Sequence, residues 1–296
     1  ARSDHVASLG KPAPSSSRKG FSGAAQARPT AIVECCCGPE SIISKVAGEQ
    51  GMRALRLTAS SHKLGTVDGN NRAEADIRQL HDEGFAIHLW ASLPCGPWSL
   101  WTTMNLHRLG PEFRKRLHER RAESFELMLQ FMRLAEIVES FNGTWSYEWP
   151  AYCFGWKIEP LRQWFAERSS YHCRFDGCRF GLTDRRGNPV RKPWAIMTSS
   201  ITLAQSLDQT LCRCPPGVHA PCAGSVASRS ENHTRALAKA AISAIKLQQG
   251  SSEPVHTVHG KPNAAKGLPA LRMHDEGHVD LSHASSIGLA DENETS

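Results

Sequence analysis

The chain has 296 residues and a mass of 32.5 kDa, enough for one good-sized domain with tails. A net charge of +6 and a pI near 8.8 admit a polyanionic partner without demanding one. With no apolar N-terminal signal run and no stretch long enough to cross a bilayer, the composition leaves no place for a membrane partner or a secreted disulfide framework. The ten cysteines therefore read as intracellular thiols available for metal binding or catalysis.

Residues 1–29 are rich in Ser, Pro, Ala and Gly and are expected to be disordered; an alanine in first place suggests a fragment or a processed piece. From Thr30 an apolar run ends in Glu34, passes a Cys/Gly/Pro turn and enters a helix predicted over Ile42–Gln50 and stopped by Gly51. Met52–Thr58 reads as a second strand, a helical stretch opens at Asp76-Ile77-Arg78, and Phe85–Trp90 reads as a third strand. Strand, turn, helix and strand in this order predict an α/β domain over residues 30–250.

The third strand runs into Ala91-Ser92-Leu93-Pro94-Cys95-Gly96-Pro97-Trp98-Ser99, which hangs one thiol on a Pro/Gly loop at a strand's carboxyl end. Ligands of open α/β sheets sit at such ends, and Pro94 and Pro97 restrict the loop, so Cys95 is a candidate nucleophile. The competing reading is a small buried hydrophobe in a tight turn. A basic cluster follows, with Arg114, Lys115, Arg116, Arg120 and Arg121 at the start of a long helix, either a phosphate contact or a solvated face. That helix then carries a core stripe of Leu127, Phe131, Leu134, Val138 and Phe141.

Thr144-Trp145-Ser146 reads as a further strand, followed by Tyr147-Glu148-Trp149-Pro150. Arg186-Gly187-Asn188 marks a hairpin turn, and Pro193–Met197 is strand-like. Cys212, Cys214, His219 and Cys222 in a Pro/Gly loop form a candidate tetrahedral zinc set, weighed against reduced cysteines in a loop. Cys173 and Cys178 are an alternative pair, read more simply as strand residues around a turn. Ser230-Glu231-Asn232 is expected to cap a last helix through Ala236 to Gln249, and residues 251–296, without periodicity, are expected to be disordered.

Taken together these segments resemble a divergent cytosine-5 DNA methyltransferase, similar to the methyltransferase-like segments of dinoflagellate retroelement polyproteins. Glu34 through Ser41 resembles the family's cofactor loop, with Glu34, Cys36 and Gly38 in it; Asp76-Ile77 resembles the acidic pair that meets the adenine. Pro94-Cys95 resembles the catalytic Pro-Cys, and Glu148 the catalytic glutamate. The resemblance implies a Rossmann-like, mostly parallel sheet flanked by helices and S-adenosylmethionine as cofactor. Its implied substrate is DNA, with RNA as an alternative, and its implied setting is nuclear, alongside other polyprotein domains. In that chemistry a cysteine thiolate adds to carbon six of cytosine, and nearby cations would be expected to favour the thiolate.

The chain also departs from the pattern. Pro39-Glu40-Ser41 stands where the family has further glycines, the second strand ends without an acid for the ribose hydroxyls, and Glu148 is followed by Trp149-Pro150 rather than an amide. The later arginine motif has only Arg185-Arg186 and Arg191-Lys192 as candidates. Two further readings therefore stand beside the enzyme: a non-catalytic nucleic-acid-binding remnant, and a zinc-stabilised interaction module.

Overall fold

The computed structural model describes residues 28–106 and 108–250. The expected disorder of 1–29 and of 251–296 falls almost wholly outside them. In chain order the elements are β1 (Thr30–Cys35), α1 (Ile42–Glu49), β2 (Arg53–Leu57), α2 (Val67–Asp82), β3 (Ala86–Ala91), α3 (Leu100–Asn105), α4 (Gly110–Ser140) and β4 (Thr144–Pro150). Then follow α5 (Glu159–Ala166), β5 (Tyr171–Asp176), β6 (Pro193–Thr198), α6 (Ile201–Leu207), α7 (Gly224–Arg229) and α8 (Arg235–Gly250). The six strands form one sheet in the order β2-β1-β3-β4-β6-β5. The first four are parallel; β6 runs antiparallel to both β4 and β5. The protein is thus α/β, with a mostly parallel sheet flanked by helices, compatible with a Rossmann-like fold.

Strand order reverses between β1 and β3: the chain leaves β1 for β2 on one side and returns to β3 on the other. At such a switch point the loops diverge to opposite faces and open a crevice at the strands' carboxyl ends. Two loops border it here, residues 36–41 after β1 and residues 92–99 after β3.

Because strand side chains alternate, each strand feeds two cores. Val33, Leu89, Trp145, Tyr147 and Trp149 pack with Ile77 of α2, Phe131 and Leu134 of α4 and Phe165 of α5. Ile32, Trp90, Trp194 and Ile196 pack with Val46 of α1, Leu203 of α6 and Ile242 of α8. The stripe expected on the long helix forms as read, with Phe131, Leu134 and Val138 buried and Leu127 and Phe141 partly so.

Two helix starts differ from expectation. α2 begins at Val67, not near Asp76, with Thr66 as cap accepting from the Gly69 amide at 3.2 Å. Gly69, Asn70 and Asn71 are weak helix formers, yet Ala73, Ile77 and Leu80 bury one face of the helix. α8 begins at Arg235, and the hydroxyl of Thr234 caps it by accepting from Leu237 N at 3.1 Å. Ser230 instead closes α7.

Gly155 couples the core to the loop after β3. A β-carbon there would sit 1.9 Å from Cζ3 of Trp149, whose Nε1 donates to Leu93 O at 2.8 Å beneath the Cys95 loop. Gly155→Ala is expected to destabilise the fold by about 3 kcal/mol through overpacking. A urea midpoint unchanged from wild type would show that the indole has room to move.

Candidate active site at the carboxyl ends of β1, β3 and β4

Cys95 lies on the loop after β3, just ahead of a 3-10 turn over Gly96–Trp98. The loop is braced from several directions. Arg121 Nε donates to Pro97 O at 3.1 Å and its guanidinium stacks over Trp98, while Trp98 Nε1 donates to Ser124 Oγ at 2.8 Å. Thr102 Oγ1 donates to Gly96 O at 2.7 Å, and Cys153 Sγ lies 3.5 Å from Trp98 O. The expected stiff presentation of the thiol is therefore built from hydrogen bonds as well as prolines. Pro94 and Arg120 help line a shallow cavity on the α4 side of the loop.

Glu148 sits within β4 rather than after it, on the face opposite Trp145, Tyr147 and Trp149. It is buried, and its Oε2 lies 3.2 Å from His233 Nε2 in the turn before α8. His233 is held edge-on to Trp90, with ring centroids 5.7 Å apart. The adjacency of β3 and β4 brings Glu148 close enough for its charge to act on Cys95. Burial raises the Cys95 thiol first and the Glu148 carboxylate second, with Lys192 opposing and Glu231 adding to the rise. This corrects the expectation of a cation-favoured thiolate. Arg121 is engaged with the loop backbone, and Lys192, whose ammonium bonds Ser230 O at 2.7 Å, does not offset the burial.

In the sequence Lys192 stands only as part of a candidate basic pair and Glu231 as part of an expected helix cap, and His233 carries no motif. They reach this site only because β6 inserts beside β4 and the chain returns from α7 to α8 across the same edge. The pairing of Trp194 with Pro150, which fixes where Lys192 lies, depends on antiparallel register that no local pattern encodes.

The loop after β1 is organised by Glu34. Ser41 Oγ lies 2.6 Å from both carboxylate oxygens and Ser44 Oγ 2.6 Å from Oε2, while Ser41 caps α1. An acid at a helix N-terminus is favoured by the helix dipole and closes the turn. Arg56 braces the same loop by donating to Pro39 O. Cys36 occupies the left-handed region at φ 58°, a conformation that costs a non-glycine residue of order 1 kcal/mol and recurs at functional sites. Burial pushes the Cys36 thiol up to about 12; Cys37 rises to about 12 through burial and then the Glu34 charge. These thiols stay protonated, and Cys36 packs against the core on the α4 side of the sheet.

Gly38 is exposed, its φ is ordinary, and a β-carbon there would meet no atom within 4 Å. Neither the fold's packing nor its backbone demands glycine at this point. Tyr147 is fully buried, and its hydroxyl has no hydrogen-bond partner. Its ring packs against Phe131 and Trp149, with centroids 4.9 and 5.0 Å away, and burial foremost, then the charges of Cys153, Cys36, Glu148 and Cys95, raise its pKa. An orphaned hydroxyl on β4 and an open glycine on the loop after β1 fit a bound ligand.

Asp76 is not at a strand end. It lies in the third turn of α2, its Oδ2 2.9 Å from His62 Nε2. Through His62 Nδ1 to Ser61 Oγ at 2.8 Å, and Ser61 to Thr58 Oγ1 at 2.8 Å, it connects to the carboxyl end of β2. That end carries hydroxyls instead of an acid.

The basic residues separate into two places. Arg114, Lys115, Arg116 and Arg120 are exposed on the first turns of α4. Arg185 is exposed in the turn closed by Asp184, and Arg191 is paired with the buried Asp176 at 3.3 Å. Of the expected metal set, Cys212, Cys214 and His219 come together, but Cys222 does not. Ala220, bridged to Val190, and Cys222 both pack against the α8 core, where Cys222 Sγ lies 3.7 Å from Ser230 Oγ, whereas His219 lies with the other thiols. Cys178, in the 3-10 turn after β5, takes the fourth position. All ten cysteines are free thiols. Among the described residues no helix is long and apolar enough to cross a membrane.

The sequence matches no protein-family model and no curated protein.

Proposed function

We propose that the chain transfers a methyl group to carbon five of cytosine in DNA. The observation that carries this reading is the approach of Cys95 and Glu148 from neighbouring strands, with an orphaned Tyr147 hydroxyl on β4 and an open Gly38 on the loop after β1. S-adenosylmethionine bound there would supply an electrophilic methyl group. The residues that would hold it are the 36–38 backbone, the first turn of α1 and Tyr147. Thr58 and Ser61, positioned through His62 by Asp76, offer hydroxyls in place of the ribose acid.

In this reading the cytosine leaves the stack to reach the site. Cys95 gives up its thiol proton to water and Sγ bonds to carbon six, which breaks the ring's five–six π bond, moves charge toward ring nitrogen three and makes carbon five nucleophilic. Glu148 meets ring nitrogen three and stabilises the charge that develops there, while His233 fixes the carboxylate through Oε2. Once carbon five has taken the methyl group, its proton passes to water, the freed electron pair re-forms the ring double bond, and Cys95 leaves as thiolate. Arg114, Lys115, Arg116 and Arg120 provide phosphate contacts at the start of α4. A second reading, a nucleic-acid-binding remnant within a larger polyprotein, is favoured by one feature, the absence of a carboxylate at the end of β2.

Calorimetric titration with S-adenosylhomocysteine tests the first reading. Saturable binding is expected, weakened about tenfold in Tyr147→Phe by loss of one hydrogen bond to the ligand. No binding by the folded chain would overturn the enzyme and leave the remnant.

A further inference from the structure

The cysteine-rich excursion between α6 and α7 plays no part in the proposed chemistry, yet it holds the densest set of soft ligands in the described chain. The atoms Cys178 Sγ, Cys212 Sγ, Cys214 Sγ and one imidazole nitrogen of His219 all lie within 4.8 Å of one another. Cys212 Sγ is 3.3 Å from His219 Nε2, which identifies that nitrogen as the one facing the thiols. Tetrahedral zinc with zinc–sulfur bonds of about 2.3 Å sets its sulfurs about 3.8 Å apart, so little movement closes the shell. We infer that Cys178, Cys212, Cys214 and His219 form a structural zinc site of the three-cysteine, one-histidine type.

Three elements converge to build it. β5 ends in Asp176, and the following 3-10 turn, ended by Gly181 at φ 74°, presents Cys178. Asp176 is buried; its Oδ2 accepts from Cys212 N at 2.8 Å and from Arg191 Nε at 3.3 Å, which fixes the second strand of ligands against the first. Backbone pairing continues this contact, with Asp176 N donating to Thr210 O at 3.1 Å. Pro215, Pro216 and Gly217 at φ 79° then turn the chain so that His219 comes back over Cys212. The Cys214 amide donates to Cys212 Sγ at 3.3 Å, the kind of contact that stabilises a thiolate.

The physical reason for a metal here is the poverty of the loop's own core. Leu211, Pro215, Pro216, Gly217 and Val218 are all exposed. Such a segment has little buried apolar surface to offset the entropy of ordering it. Four ligands drawn from both sides of the excursion would hold it closed, with Zn²⁺ replacing three thiol protons and binding neutral imidazole. No ligand position is left over for water, so the site is structural rather than catalytic. The chain leaves it through Cys222 and α7 to Ser230 and His233, so the metal also anchors the wall that faces Glu148. This inference stands whether or not the chain transfers methyl groups.

The test is metal content of the full chain, isolated reduced, without chelator, and re-equilibrated with zinc. One zinc per chain is expected in wild type and in Cys222→Ser, with at least a tenfold loss in Cys178→Ser. A zinc-free wild type would overturn the site. Retention in Cys178→Ser with loss in Cys222→Ser would overturn the ligand set. Should Cys178→Ser fail to fold, His219→Cys keeps four donors and raises the thiolate count from three to four. It should bind cobalt with stronger sulfur-to-metal charge-transfer absorption than wild type, and an unchanged spectrum would remove His219 from the shell.

Discussion

Cys95→Ala is expected to reduce the proposed methyl transfer to cytosine DNA by about 10⁴-fold or more, because it removes the atom proposed to make carbon five reactive. The same change should alter unfolding free energy by about 1 kcal/mol or less, since the thiol is only partly buried and its loop is braced by other groups. Covalent trapping on 5-fluorocytosine DNA should vanish with it. Transfer persisting in Cys95→Ala would place the nucleophile elsewhere. Glu148→Gln is expected to cost about 10² to 10³ in rate, the range for losing one group that stabilises developing charge. Its effect on the thiol should run the other way. The Glu148 charge raises the Cys95 pKa, so removing that charge lowers it and moves the pH midpoint of Cys95 alkylation down. Lys192→Met should move that midpoint up, because the ammonium opposes the rise. A midpoint that ignores both substitutions would mean the two charges do not reach the thiol and would remove the electrostatic basis of the site.

The parallel half of the sheet was legible because its signals are local. β1 and β3 are apolar runs ended by Gly/Pro loops, and the observed bounds Thr30–Cys35 and Ala86–Ala91 depart from the sequence reading by a residue or two. The Cys95 loop was legible for the same reason. Glu148 was found, but its setting was not: β4 extends to Pro150, so the acid lies on a strand face opposite three aromatic residues rather than in a following loop. The start of α2 was hidden by a glycine that serves packing, since a β-carbon at Gly69 would sit 1.7 Å from the His62 carbonyl oxygen. Cys178 and Cys222 illustrate the remaining gap. Proximity in sequence favoured Cys222, whereas its packing against the α8 core and Ser230 takes it away and the corner after β5 brings Cys178 in from a distant segment.

Acidification from pH 6.5 toward pH 3 is expected to destabilise this protein steeply through one histidine in the middle of the sheet. His88 is fully buried on β3, and burial lowers its pKa from 6.5 to about 3. Its partners define its state. Thr198 Oγ1 donates to Trp145 O at 2.7 Å and accepts from Ser200 N at 3.1 Å, which leaves it to accept from Ser146 Oγ at 2.8 Å. Ser146 Oγ then accepts from His88 Nε2 at 3.0 Å, and Nδ1 accepts from Thr144 Oγ1 at 2.7 Å. The chain of bonds is complete with a neutral ring and has no place for a second proton. The unfolded chain binds that proton below pH 6.5 and the folded chain does not until about pH 3, so unfolding is favoured throughout the window. The slope is about 1.4 kcal/mol per pH unit for one such group. His88→Gln offers Thr144 an acceptor and Ser146 a donor without a titrating ring, and should flatten the stability profile between pH 6 and pH 5 by about that amount. Urea unfolding at these two pH values decides it: parallel profiles in wild type and variant would mean that the ring takes up a proton in the folded sheet.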